Sequence, residues 1–162
     1  MGERLRRMCG RPIDEHNRHV RMILPDRVLD IAESERAKRT WGHDPLLQVQ
    51  GVGAFVRVLL PVRLSGGFTL TLGTWLAVDP TRLGEVWELW WTDAYAGLVL
   101  DGYLANAIPP WGDALLGSLA TAVVRDPTQV PYVERSEREI LQRVLLTEWP
   151  HEEILAAYEA VF

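Results

Sequence analysis

The stretch that decides the fold is Leu46 to Val78, LLQVQGVGAFVRVLLPVRLSGGFTLTLGTWLAV, because its side chains alternate with a period of two. Leu47 and Val49 alternate with Gln48 and Gln50, and Gly51-Val52-Gly53 supplies a turn. Phe55, Arg57 and Leu59 then oppose Val56, Val58, Leu60 and Val62. A second turn at Ser65-Gly66-Gly67 leads to a strand with Phe68, Leu70, Leu72, Thr74, Leu76 and Val78 on one side. Thr69, Thr71, Gly73, Trp75 and Ala77 occupy the other. Successive strands joined by tight turns predict an antiparallel meander.

Working outward, Asp79-Pro80 marks a helix start, a carboxylate N-cap followed by proline at the first helical position. Leu83, Val86, Trp87, Trp90 and Trp91 then form one helical stripe, with Arg82, Glu85, Glu88 and Thr92 opposite. Upstream, Val28, Leu29, Ile31 and Ala32 share a face within a helix expected over 26–39, acidic early and basic late. Downstream, strands are expected over 96–100 and 114–124. Ser136 and Glu139 form a capping-box pattern before Ile140, Leu141, Val144 and Leu145, and Pro150 opens a last helix with Ile154, Leu155, Tyr158, Val161 and Phe162. The expected class is α+β: an antiparallel meander sheet packed by a Trp-bearing helix and two C-terminal helices. One domain over 1–162 is expected, with 1–24 an irregular lead-in.

Composition narrows the function classes. The chain has 162 residues, 48% hydrophobic and 24% charged, as expected of one globular core. No apolar run approaches the ~20 residues of a membrane helix. The basic amino terminus has no long apolar stretch and Cys9 is the only cysteine, so the expected compartment is the cytoplasm. The net charge is −5, with residues 1–40 near +3 and the rest near −8, which argues against nucleic acid.

Phe55-Val56-Arg57 with Leu60-Pro61-Val62, then Gly73-Thr74-Trp75-Leu76, then Gly102-Tyr103-Leu104-Ala105-Asn106 with Ile108-Pro109 and Trp111, resembles one bacterial family. It is the uncharacterised family catalogued as domain of unknown function number 2199, and the likeness runs over about residues 45–135. Family members often open with Cys-x-x-Cys-Gly, which looks like half a zinc site; here Arg6 replaces the first cysteine and only Cys9-Gly10 remains. Arg135-Ser136-Glu137-Arg138 replaces a His-Pro-Leu segment. The departures imply a divergent member without a structural metal, and the resemblance carries no activity with it.

Candidate sites follow from residue chemistry. Trp75 stands on a face of small residues, where Gly73 permits close approach, so the pair suits a ligand platform or packing under a helix. The Trp87-Trp90-Trp91 stripe is core or the wall of a cleft, with Trp91 at its margin the ring expected to be exposed. Arg57 among apolar neighbours needs an anion: a substrate carboxylate, or Asp79, Asp93 or Asp101. Asp93, Asp101, Tyr103, Asn106 and Trp111 crowd one loop-rich segment, and a carboxylate beside tryptophan suits general acid/base work. Turn chemistry at Asp101-Gly102 and Pro109-Pro110 explains the same residues without a site.

Neither His16-x-x-His19 with Asp14 and Glu15, nor His151-Glu152-Glu153, has a matching second pair, so no metal is expected. No nucleophile elbow or phosphate loop is present in the sequence, and no cofactor is expected. The reading that results is a small hydrophobic molecule bound in a cleft lined by Gly73, Trp75, Trp91, Tyr103, Asn106 and Trp111. A second is a cofactor-independent cyclase, isomerase or hydrolase with Asp101 or Asp93 as acid/base and Arg57 holding an anion. A third is a protein-interaction or immunity-type module with tryptophan hot spots. The expected partner is a small molecule, not nucleic acid or membrane, and a homodimer is allowed.

Overall fold

The computed structural model describes residues 8–12 and 17–159. In chain order its elements are β1 (Met8–Pro12), β2 (Asn17–Met22), α1 (Asp26–Leu29), α2 (Glu33–Arg39), β3 (Thr40–His43), β4 (Leu46–Val49), β5 (Gly53–Leu64), β6 (Phe68–Val78) and α3 (Pro80–Leu89). A 3-10 turn at Asp93–Gly97 follows, then β7 (Val99–Leu104), β8 (Leu119–Val123), β9 (Tyr132–Arg135), α4 (Glu139–Leu146) and α5 (His151–Ala156).

The β5–β6 hairpin is the spine, registered from Ala54↔Val78 to Leu64↔Phe68. Its turn uses Gly66 and Gly67 at φ +80° and +82°, a left-handed backbone that only glycine adopts freely. β7 adds to β6 through Leu76↔Leu104 and Ala77↔Tyr103, β8 adds to β7, and β9 to β8, all antiparallel. β9 then returns beside β5 in parallel at Leu59↔Tyr132, where Leu59 N donates to Pro131 O at 2.8 Å. Five strands thus close on themselves.

This closed mixed barrel overturns the expectation of an α+β antiparallel meander sheet packed by helices. Closure buries one face of every strand without helices and removes the edges that an open meander would leave. Val56, Val58, Leu60 and Val62 from β5 meet Leu70, Leu72, Thr74 and Leu76 from β6 inside it, all fully buried. Leu100, Leu104, Ala120, Ala122 and Val133 complete the lining, the two alanines keeping a five-stranded bore narrow. At Gly102, where β7 presses on β6, a Cβ would lie 2.7 Å from Ala77 O.

The long strands outrun the barrel and serve second partners. β2 runs parallel to β6 from Asn17↔Thr69 to Arg21↔Gly73, and β1 pairs with β2, so the expected irregular lead-in instead contributes two strands. On the other side β4 pairs with β5 from Leu46↔Val56 to Val49↔Gly53, and β3 with β4. The helix expected over 26–39 is two short ones, α2 burying no side chain. Strands expected over 96–100 and 114–124 fall at 99–104 and 119–123.

Helix starts follow the local chemistry. Asp79 Oδ1 accepts from Thr81 N at 2.9 Å ahead of α3. Ahead of α4, Ser136 Oγ accepts from Arg138 N at 3.0 Å, while Gln142, not Glu139, accepts from Ser136 N at 2.8 Å. α5 is tied to the spine's turn by His151 N donating to Ser65 Oγ at 3.0 Å. Tyr158, in the turn just after α5, is fully buried and donates to the Pro109 carbonyl, whereas Val161 and Phe162 lie outside the described residues.

Candidate functional site

Arg57 and Trp75 face outward from the barrel at paired positions, yet neither is open to a ligand. The β2–α1 connection and the β3–β4 turn cover them, leaving Arg57 4% and Trp75 0% exposed. Arg57 uses all five of its N–H donors on the protein. Nε and Nη2 make a fork to Asp44 at 3.0 and 2.8 Å, Nη1 donates to Met22 O and Gly73 O at 2.8 and 2.9 Å, and Nη2 reaches Ile23 O at 3.4 Å. The anion that Arg57 needs is Asp44, not Asp79, Asp93 or Asp101. Trp75 Nε1 donates to Met22 O at 3.1 Å, and Gly73 makes room for Arg57 and Arg21, whose atoms would lie 3.5 and 3.3 Å from an added Cβ.

Asn106 is also internal. Its Oδ1 accepts from Thr74 Oγ1 at 2.8 Å, and its Nδ2 donates to Leu24 O at 3.0 Å and Asp26 Oδ1 at 2.9 Å, tying the barrel lining to the start of α1. Asp101 and Tyr103 alternate outward on β7 and are exposed, Asp101 accepting from Thr121 Oγ1 across the strand pair at 2.6 Å. Trp111 packs edge-on against Trp149, centroids 5.1 Å apart. Asp93 is exposed at the start of the 3-10 turn. Of the residues expected around one cleft, the structure brings together only Gly73, Trp75 and Arg57. Asp14, Glu15, His16 and Arg6 lie outside the described residues, as does the Cys9 side chain; among the described residues no His/Cys/Asp/Glu group could hold a metal ion.

The indoles that do reach a concavity are at the end of α3. Trp90 is its C-cap, and Trp91 follows at φ 74°, a conformation that costs a bulky L-residue about 1–2 kcal/mol and turns the chain sharply. The residue as a whole is 91% exposed. Trp87, Trp90 and Trp91, with His43, Pro45 and Leu46 of the β3–β4 hairpin, bound a cleft of about 410 Å³. A second concavity of about 190 Å³ shares Pro45, Trp90 and Trp91, and is completed by Tyr95 and residues 127–130. Trp91 and Pro45 therefore stand between two adjoining hollows.

Ring pairs hold the walls. Trp41 of β3 lies against Trp87, centroids 5.0 Å apart and planes at 52°; Trp90 lies against Tyr95 at 4.7 Å and 57°. Tyr95 donates its hydroxyl to Gln129 O at 2.6 Å, and burial pushes its pKa up to about 12. No carboxylate, Lys or Arg lines either hollow. The chemistry on offer is apolar area and π faces, with His43 and Tyr95 as the titratable groups. Sequence reasoning missed Trp41, His43 and Pro45; the Asp44-Pro45 turn beside an aromatic was the available signal.

Fold and site together define a small mixed β-barrel protein carrying an indole-walled cleft on its outer corner. The chain belongs to the family described as an uncharacterized protein conserved in bacteria (DUF2199), whose model matches residues 7–144. No curated protein and no solved structure matches it. Among the described residues no helix is long and apolar enough to cross a membrane.

Proposed function

We propose that the protein binds a small apolar molecule in the cleft between α3 and the β3–β4 hairpin. The observation that carries this reading is a concavity of about 410 Å³ walled by Trp87, Trp90 and Trp91, a volume within the usual range of ligand sites. Covering roughly 100 Å² of exposed indole would contribute about 2.5 kcal/mol. Binding is favoured over turnover because Asp93, Asp101 and Arg57 do not line the cleft. A small molecule is favoured over a protein partner because a hollow underlies the exposed rings. The net charge of −5 speaks against nucleic acid, and the single cysteine fits a cytoplasmic location.

The test is tryptophan fluorescence under titration with a broad set of apolar acids, terpenoids and polyketide-like compounds. The expected result is saturable quenching or shift that Trp90→Ala and Trp91→Ala each weaken by about tenfold. No response from any compound, or wild-type affinity retained in both variants, overturns the reading.

A further inference from the structure

We infer that the occupant of the indole cleft is an organic cation, a tertiary or quaternary ammonium with apolar substituents; this rests on the ligand-binding reading above. Tryptophan presents the most electron-rich face of any side chain, and aromatic boxes are the usual means of holding an ammonium that has no N–H to donate. The cleft is lined by three indoles, and two of them are braced from behind by a second ring, Trp87 by Trp41 and Trp90 by Tyr95.

Charge points the same way. No Asp, Glu, Lys or Arg lines either hollow, and the charged residues within or next to the lining segments in sequence are Asp44, Glu88, Asp93, Asp126 and Arg125. Asp44 is engaged by Arg57 and Arg21. Among the described residues no cation pairs with Glu88, Asp93 or Asp126. Bonds from Thr128 hold the Asp126 carboxyl below the usual carboxylate range. The nearest basic residue in sequence, Arg125, has its guanidinium 4.7 Å from the Tyr132 centroid. An anion would find no guanidinium or ammonium lining the site, and the two arginines beside the β3–β4 turn, Arg21 and Arg57, are both paired with Asp44. A cation finds indole faces lining the cleft and no lining guanidinium or ammonium to repel it.

Three ligands of one shape test this on the full chain by tryptophan fluorescence: benzyltrimethylammonium, its uncharged carbon isostere neopentylbenzene, and the anion 4-tert-butylbenzoate. The cation is expected to bind about tenfold more tightly than the isostere, and the anion most weakly. His43→Lys, which sets a fixed positive charge in the lining, is expected to weaken the cation about tenfold more than it weakens the isostere. If the isostere or the anion binds as tightly as the cation, the charge preference is wrong while the apolar cleft stands. If none of the three binds, both this inference and the ligand-binding reading fail.

Discussion

Arg57 and Trp75 sit opposite each other on β5 and β6, the guanidinium carbon 4.2 Å from the indole centroid, and both donate to the carbonyl of Met22. One backbone oxygen thus fastens the end of β2 to the outside of the barrel, with Asp44 closing the cluster from the β3–β4 turn. A lysine here keeps the charge but loses the planar fork, leaving carbonyls and a carboxylate underpaired. Arg57→Lys is expected to destabilise the fold by about 2–3 kcal/mol, less than a fully buried pair would because Asp44 is partly open to water. Urea unfolding should show a lower midpoint at unchanged slope.

Gly102 lies where β7 presses on β6, with Ala77 O and the Leu76 and Val78 side chains around it. The missing Cβ, and not a special φ, is what the site requires. Gly102→Ala is expected to cost about 2–3 kcal/mol by forcing the strands apart. Faster amide exchange confined first to Leu76, Ala77 and Leu104 would locate the damage at that strand pair; unchanged stability would show that the strands yield easily.

Trp91 holds its indole in solvent on a left-handed backbone. Trp91→Gly removes the strain and is expected to raise stability by about 1 kcal/mol, near 2–4 °C in Tm, while weakening ligand binding about tenfold. Stability and binding moving in opposite directions is the signature of strain kept for a site. A loss of both would place Trp91 among the structural residues instead.

Tyr95 gives a pH dependence with a definite sign. Its hydroxyl is buried and its pKa raised from 10.0 to about 12, so the folded state keeps a proton that the unfolded chain releases. That contribution is whole below pH 10 and is lost as pH rises toward about 12. Tyrosinate absorbance should show one phenol titrating last, and Tyr95→Phe should remove that step and flatten the alkaline decline in stability.

Much of the sheet was legible from residues alone. The period-two runs and glycine turn between Leu46 and Val78 are local facts, and they place β4, β5 and β6 correctly; so does Asp79-Pro80 for α3. Closure was not legible, since it rests on the parallel contact Leu59↔Tyr132, between strands that no turn connects. The same limit applies to Arg57: Asp44 lies 13 residues away on another hairpin, and spacing alone favours no acidic residue over another.

The site divides along the same line. That Trp75 sits among small residues follows from strand periodicity, whereas the helical stripe expected through Trp91 is cut short, because α3 ends at Leu89 with Trp90 its C-cap and Trp91 past it at φ 74°. Which indole is covered depends on segments arriving from elsewhere: the β2–α1 connection seals Trp75, whereas the β3–β4 hairpin stops short of Trp91 and leaves a hollow. The sequence by itself determined the family, the spine hairpin and the aromatic inventory, because these are properties of neighbours along the chain. Barrel closure and the choice of which rings meet solvent were decided only by tertiary structure, because burial is a property of what arrives from a distance.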